Sequence, residues 1–243
     1  MTSWFTIARV LPAMLGTNGS GAGAEIVGAA LRRMGHEVSI IDIHGPADVA
    51  RTVDFVSVGS GSGSTTGPAA TELMGLVPSL RSWQEQGAWF FAVGTGWDLL
   101  GHHVVVGSGD VIPGVGVFPS SADHRSGRFS GEASGHDYKS RDTAGYINQV
   151  GSSTLDEGVQ SLWSIDTAAG DYPVAEGLIS GTLMATRLGG PALALNPHWV
   201  DDIVTGMLAA RGLAPVASDF HERVVGLAER ARGSIIGRLG VSR

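Results

Sequence analysis

The chain has 243 residues, of which 43% are hydrophobic, and a formal net charge of −7 at pH 7. This length and apolar content suffice for one large core and predict a single domain. The acidic balance excludes a general nucleic-acid-binding surface, because phosphate contacts need clustered lysine and arginine. Since the chain has no cysteine, disulfides, thiolate metal sites and a cysteine nucleophile are excluded as well.

Apolar runs alternate with helical patterns in the first hundred residues, as an open α/β sheet requires. Strands are predicted at residues 5–10, 37–43, 54–58 and 88–93. A first helix has apolar positions between Ile26 and Met34 and ends at Gly35, a common stop signal. A second helix is predicted to begin near Ala69 and to be interrupted near Pro78, because proline lacks the amide hydrogen of a helix interior.

The remainder of the chain has a different pattern. From Val104 to Leu183, short β-like segments alternate with glycine, serine and aspartate turns, which predicts antiparallel strands added to the parallel core. Two helices follow, at residues 197–210 and 218–239, and the second is predicted to be capped by Ser218 and Asp219.

Two glycine-rich segments follow predicted strands. Residues 16–23 match neither GxGxxG nor the Walker pattern, so a structural loop is favoured over a nucleotide site. Residues 59–64 (GSGSGS) lie where backbone amides at the carboxyl edge of a sheet can bind an anion or an oxyanion. Serine-glycine runs are also ordinary flexible loops, so this segment by itself leaves both interpretations open.

After the fourth strand, residues 94–101 (GTGWDLLG) predict a tight strand-to-helix elbow of the kind that presents a catalytic nucleophile. The elbow has no cysteine and does not match the GxSxG of serine hydrolases.

Metal binding is not predicted. His102 and His103 are adjacent and cannot both point at one ion from a regular element, and neither HxxxH nor HExxH occurs. We therefore expect no metal site and no cofactor. No run approaches the eighteen or so apolar residues of a membrane span, and the N-terminus lacks a basic region followed by an apolar run, so a cytoplasmic location is expected.

The order of these segments resembles class I glutamine amidotransferase domains of the cobyric acid synthase (CobB/CobQ) branch. The resemblance is strongest to the GatD-type glutaminase subunit that pairs with a Mur-ligase-like partner in lipid II isoglutaminyl synthase. It is carried by residues 15–19 (LGTNG), 55–62 (FVSVGSGS), 127–131 (GRFSG), 145–151 (GYINQVG), 190–191 (GP) and 196–197 (NP). It implies a three-layer, flavodoxin-like α/β fold with a mostly parallel central sheet and added antiparallel strands. The domain is expected over residues 1–212, with residues 213–243 as a C-terminal helical extension of it.

The departures from the family pattern lie at its catalytic residues. Gly94 stands where the family has its cysteine nucleophile, and Gly189 stands where it has the activating histidine. Glutaminase chemistry is covalent, with a thiolate attacking the amide carbon, so these two glycines predict a pseudo-glutaminase without catalytic residues.

A binding function is still implied for four residues. The resemblance places Ser60 and Gly61 in the loop whose amides help form the oxyanion hole, beside Thr95 at the elbow, and it implies that Arg128 binds the substrate's carboxylate. A planar guanidinium suits a carboxylate because it can donate two parallel hydrogen bonds, although an arginine between glycines also commonly faces solvent. Replacement of the lost base by His102, His103 or His198 is disfavoured, since each fits a surface or helix-terminal position.

Three functions remain open. The favoured one is a silent amidotransferase-like subunit that binds a Mur-ligase-like, ATP-dependent partner in cell-wall precursor amidation or a related ligation. The second is an active amidotransferase or hydrolase with a non-cysteine nucleophile, for which a hydroxyl close to a base at the elbow is the discriminating feature. The third is a stand-alone module that binds glutamine or another amino acid.

Overall fold

The computed structural model describes residues 2–168, 172–216 and 219–240. The predicted Ser218–Asp219 cap lies outside the residues and side chains described. The twelve strands are β1 (Trp4–Val10), β2 (Glu37–Ile43), β3 (Phe55–Val58), β4 (Trp89–Val93), β5 (His103–Val105), β6 (Val111–Pro113), β7 (Ser120–Asp137), β8 (Asp142–Leu155), β9 (Trp163–Ala168), β10 (Ala175–Glu176), β11 (Leu178–Ser180) and β12 (Leu183–Thr186). The α-helices are α1 (Gly23–Arg33), α2 (Gly63–Glu85), α3 (Thr95–Leu100), α4 (Ala192–Leu195), α5 (Pro197–Ala209) and α6 (Asp219–Arg238).

The first sheet has the strand order β11-β12-β4-β3-β1-β2. All neighbours in it are parallel except β11, which pairs antiparallel with β12 at one edge. Its central strands are buried on both faces, as their near-continuous apolar sequences predict. The predicted α/β fold with a mostly parallel sheet is confirmed.

Helices cover both faces of this sheet and so form the outer layers. On one face, Leu73 and Leu80 of α2 belong to the same buried cluster as Phe90 of β4. On the other face, buried residues of α1, α4 and α5 pack with β1, β3 and β4: Val27, Leu31, Leu193, Trp199, Ile203, Phe5, Phe55 and Phe91.

Helix α2 differs from the prediction at two points. It begins at Gly63, six residues before Ala69, and it continues through Pro68 and Pro78 without interruption. Each proline removes one backbone hydrogen bond. That loss is outweighed by tertiary packing, because one face of the helix remains buried from Thr66 to Trp83 across both prolines.

The antiparallel strands predicted between residues 104 and 183 are present, and most of them form a second sheet. Its order is β10-β9-β7-β5-β6, with β8 paired to β7 along a long hairpin. The pairing of β7 with β8 is irregular between Asp123 and Arg128, as at a β-bulge. Bulges change the direction of side chains, and this one lies where β7 passes the carboxyl edge of the first sheet.

Helix α6 lies against the β7–β8 hairpin and α4. Ile235 and Ile236 pack against Ala144 of β8, Arg232 donates a hydrogen bond to the Leu195 carbonyl at 2.7 Å, and Arg238 forms an ion pair with Glu132. The boundary near residue 212 stays a prediction. None of the described helices has the length and apolarity needed to cross a bilayer.

Candidate functional site

The elbow after β4 has the backbone geometry of a nucleophile-presenting turn. Gly94 has φ 49° and ψ −117°, a conformation that side-chain-bearing residues rarely adopt. Its amide donates to the Thr186 carbonyl of β12, and its own carbonyl accepts from the Asp98 amide as α3 begins. The strained turn is therefore present although position 94 has no side chain.

The loop after β3 is fixed by hydrogen bonds to residues of the glycine-rich segment 16–23. The Ser60 amide donates to Ser20 Oγ at 2.8 Å, and Thr17 donates both its amide and its hydroxyl to the Ser60 carbonyl, at 3.0 and 2.8 Å. Ser60 is 5% exposed. The glycine-rich residues 16–23 thus act as a structural clamp on this loop, in keeping with the loop interpretation of that segment.

The side chain of Gln149, on β8, occupies the space above the elbow. A Cβ atom on Gly94 would lie 2.5 Å from Gln149 Nε2 and 2.6 Å from Ser60 Oγ. Gln149 Nε2 donates to Ser60 Oγ at 3.3 Å, and that hydroxyl also accepts from the Thr95 amide at 3.3 Å. A carboxamide of the chain itself therefore fills the position that a nucleophilic side chain would need.

Gly189 lies three residues beyond β12, at the same sheet edge as Gly94. Its amide donates to the Tyr146 carbonyl at 2.7 Å, and a Cβ atom on it would meet only that oxygen, at 3.4 Å. The following Gly190 packs near Asn18. The position therefore has room for a Cβ atom.

An open cleft of about 530 Å³ lies at this edge between the parallel sheet and the β7–β8 hairpin. It is lined by Thr17, Asn18, Gly61, Ser62, Gly63, Thr66, Thr95, Asp98, Val106, Gly107, His124, Arg128, Asn148, Gln149 and Val150. The structure thus brings together three of the four residues with a predicted binding role, Gly61, Thr95 and Arg128. Ser60 lies beneath them.

Arg128 stands at the exposed rim of the cleft, on β7. Its Nη1 donates to Asn148 Oδ1 of β8 at 2.6 Å. This contact holds one edge of the guanidinium, and the side chain is exposed and lines the cleft. The carboxylate-binding role of Arg128 stays a prediction.

One member of a buried ion pair, Asp98, forms part of the floor of the cleft. Arg187 Nη2 lies 2.7 Å from Asp98 Oδ1, and their side chains are 2% and 1% exposed. His124 Nε2 lies 2.8 Å from the other oxygen, Asp98 Oδ2. Arg187 also donates to Ser153 Oγ at 2.8 Å and to the Val150 carbonyl at 3.2 Å. Because the carboxylate has two partners, its charge is compensated inside the protein and Arg128 leaves the cleft with a positive balance.

Hydroxyls line the elbow without a base. Thr95 Oγ1 donates to the Gly61 carbonyl at 3.2 Å, and among the described residues Ser60 Oγ has hydrogen bonds only with Gln149, Thr95 and Gly61. No histidine within the described ranges forms a hydrogen bond with either hydroxyl.

The histidines considered as replacement bases lie elsewhere. His102 pairs with Asp156, His103 with Ser121, and His198 with Thr143. In the described part of the chain, no three metal-ligating side chains form a cluster suited to an ion.

Sequence reasoning did not identify Asp98, Arg187, His124 and Gln149 as parts of the site. Asp98 gave a usable signal, because a lone carboxylate among the apolar residues of α3 requires a buried partner. The sequence gave no signal for which residues are its partners, since Arg187 and His124 lie 89 and 26 residues away in the chain.

Comparison with solved structures supports the same fold. A crystal structure described as a glutamine amidotransferase superposes with a TM-score of 0.55 at 18% identity, over 81% of this chain and 98% of its own. A glutamine amidotransferase from Thermotoga maritima gives a TM-score of 0.52 at 12% identity, over 97% and 94% of the two chains. At these identities the likeness shows the fold alone.

A comparison with curated protein sequences found no significant match. The family profile of CobB/CobQ-like glutamine amidotransferase domains matches residues 29–197, which is most of the chain and includes the elbow, the bulge in β7 and the turn at Gly189. The protein therefore belongs to the CobB/CobQ-like glutamine amidotransferase domain family.

Proposed function

We propose that the protein is a degenerate glutamine amidotransferase subunit that does not itself hydrolyse glutamine. The observation that carries the proposal is the elbow, where Gly94 supplies no nucleophile and the carboxamide of Gln149 fills the space above it. Hydrolysis of a carboxamide by this family's route needs an attacking thiolate and a base, and positions 94 and 189 supply neither. Loss of such a unit typically costs a hydrolase about 10⁶-fold in rate.

An active enzyme with a hydroxyl nucleophile is disfavoured by the same geometry. An unactivated hydroxyl is a weak nucleophile and needs an adjacent base. Ser60 Oγ and Thr95 Oγ1 have amide and carbonyl partners, and the described hydrogen bond of His124, an imidazole that lines the cleft, is made with Asp98 and not with either hydroxyl.

The proposed partner is a Mur-ligase-like, ATP-dependent protein acting in cell-wall precursor amidation or a related ligation. This part of the proposal is supported by the sequence segments that resemble the GatD-type subunit and by their order along the chain. In such a pair the silent subunit would stabilise or regulate the ligase, and the transferred nitrogen would come from free ammonia or another amine.

The test uses the full chain co-purified with a Mur-ligase-like protein, supplied with ATP, acceptor and glutamine labelled with ¹⁵N in its side-chain amide. We expect no release or transfer of label by mass spectrometry, together with product formation when ammonium is added. The isolated chain with labelled glutamine is the control. Movement of the label from glutamine would overturn the proposed loss of hydrolysis, and failure of the two proteins to co-elute would overturn the proposed partner.

A further inference from the structure

The carboxamide of Gln149 has the same chemistry as the side-chain amide of a glutamine ligand. Its Nε2 donates to Ser60 Oγ at 3.3 Å and lies 2.5 Å from the position that a Cβ atom on Gly94 would take. A ligand amide that approaches the elbow must therefore displace Gln149 or remain without the partners that Gln149 uses. An amide desolvated without partners loses affinity.

The rest of the cleft remains open to a ligand. With Gln149 in place, the cleft has a volume of about 530 Å³. Among the lining residues, the ionisable ones are Asp98, His124 and Arg128, and Asp98 is already engaged by Arg187 and His124. The uncompensated charge is that of Arg128, whose planar group favours a carboxylate.

We propose that Gln149 is the specificity-determining residue of this cleft, which binds a small carboxylate ligand without a side-chain amide and discriminates against glutamine. The inference rests on the proposed loss of hydrolysis, because a site that had to cleave glutamine could not keep its amide position filled. The ligand's carboxylate binds Arg128, and its side chain stops short of the elbow.

The test compares L-norvaline with L-glutamine, because the two share a three-carbon side-chain stem and differ in the amide. Binding is measured by isothermal titration calorimetry on the full chain. We expect wild-type protein to bind L-norvaline about tenfold or more tightly than L-glutamine. Valerate, which lacks the amine, separates an amino-acid ligand from a simple carboxylate, and binding of either supports the proposal.

Variants assign the effect to residues. Gln149→Ala opens the amide position, so the preference for L-norvaline should fall to about threefold or less. If this variant misfolds, Gln149→Ser is the second truncation, and Gln86→Ala, at an exposed glutamine beyond α2, is the matched control. Arg128→Gln should weaken the binding of L-norvaline about tenfold or more. Arg125→Gln, on the same strand outside the cleft, should leave that binding unchanged.

The proposal is overturned if wild-type protein binds L-glutamine as tightly as L-norvaline, if the truncations leave their ratio unchanged, or if neither carboxylate binds at millimolar concentration. These outcomes are separate from failure of the proposed function. Hydrolysis of glutamine would refute the silent subunit, whereas tight binding of intact glutamine would refute only the selectivity assigned to Gln149.

Discussion

The cleft and a second polar region of the molecule use charge in opposite ways. The second region, called here the turn cluster, consists of Asp137, Tyr138, Arg141, His198 and Asp202, where the β7–β8 turn meets α5. There Arg141 donates to both Asp137 and Asp202, and Tyr138 donates to Asp202 at 2.8 Å. In the cleft, by contrast, one ion pair is buried and Arg128 remains open to solvent.

The pKa values of the turn cluster follow from this mutual pairing. Burial raises the pKa of Asp202, but hydrogen bonds from Arg141, Lys139 and Tyr138 outweigh it and hold that pKa below its usual range. Charges that satisfy one another in this way fix a turn against a helix. In the cleft, Arg128 has no carboxylate partner among the lining residues, so an anionic partner has to be a ligand. The two regions thus differ in that the polar groups of one stabilise the fold and those of the other are available to a ligand.

The largest effect is expected at the floor of the cleft. Arg187→Met leaves the buried Asp98 carboxylate with His124 as its remaining partner, and breaking a buried pair typically costs about 3–5 kcal/mol. We expect a loss of that size in the free energy of unfolding, measured by urea denaturation. Arg125→Gln, which breaks an exposed pair with Asp123, is the control and should leave it nearly unchanged. Equal effects of the two variants would show that the buried pair contributes no more to stability than the exposed one.

A pH effect is expected from the turn cluster. Burial, followed by the charge of Arg141, lowers the pKa of His198 from 6.5 to about 4. The unfolded chain therefore binds more protons between about pH 4 and 6.5, so stability is lost as pH falls through this window. At roughly 1.4 kcal/mol per pKa unit, the loss is at most about 3.5 kcal/mol.

His198→Gln should flatten the pH dependence of the free energy of unfolding between these pH values. The control is His44→Gln, because His44 is exposed and lies outside the turn cluster. If the wild-type slope persisted in His198→Gln, another group would be responsible for it.

A smaller effect is expected at the elbow. Gly94→Ala places a Cβ atom in an unfavourable backbone conformation and against Gln149, which should cost about 1–3 kcal/mol. Combining it with Gln149→Ala should recover at least about 0.5 kcal/mol relative to additivity, because the collision is removed. Gly237→Ala, in α6, is the control, since beyond its chain neighbours nothing lies within 4 Å of a Cβ atom there, no proline follows it, and alanine favours the helix. Strict additivity would show that Gln149 does not occupy this space in solution.

The smallest effect is expected at the edge of the turn cluster. Lys139 is 51% exposed and lies 2.7 Å from Asp202, which keeps Arg141 and Tyr138 as partners when the lysine is removed. Lys139→Gln should therefore lower the free energy of unfolding by no more than about 1 kcal/mol. A larger loss in the same urea assay would mean that the turn cluster depends on this exposed lysine at its edge.

The sequence by itself determined the order of the strands and helices in the first hundred residues, the elbow at Gly94 and the absence of cysteine. These features depend on local backbone preference and on residue identity, which a linear chain displays directly. Gly61 and Thr95 could be assigned to one site because the carboxyl ends of parallel strands meet at a common edge, whereas Arg128, on β7, was assigned to it by the resemblance to the family.

Only the tertiary structure decided what fills and surrounds that site. Gln149 and Ser60 are 89 residues apart and meet because the β7–β8 hairpin lies over the edge of the parallel sheet. Arg187 and Asp98 are also 89 residues apart, and they meet because they follow β12 and β4, which are neighbouring parallel strands. The continuity of α2 through Pro78 was decided in the same way, since burial of one helix face outweighs a missing hydrogen bond. Long-range packing energies have no counterpart in local sequence pattern, so the sequence indicated an elbow without a nucleophile, and the fold shows which side chain lies above it.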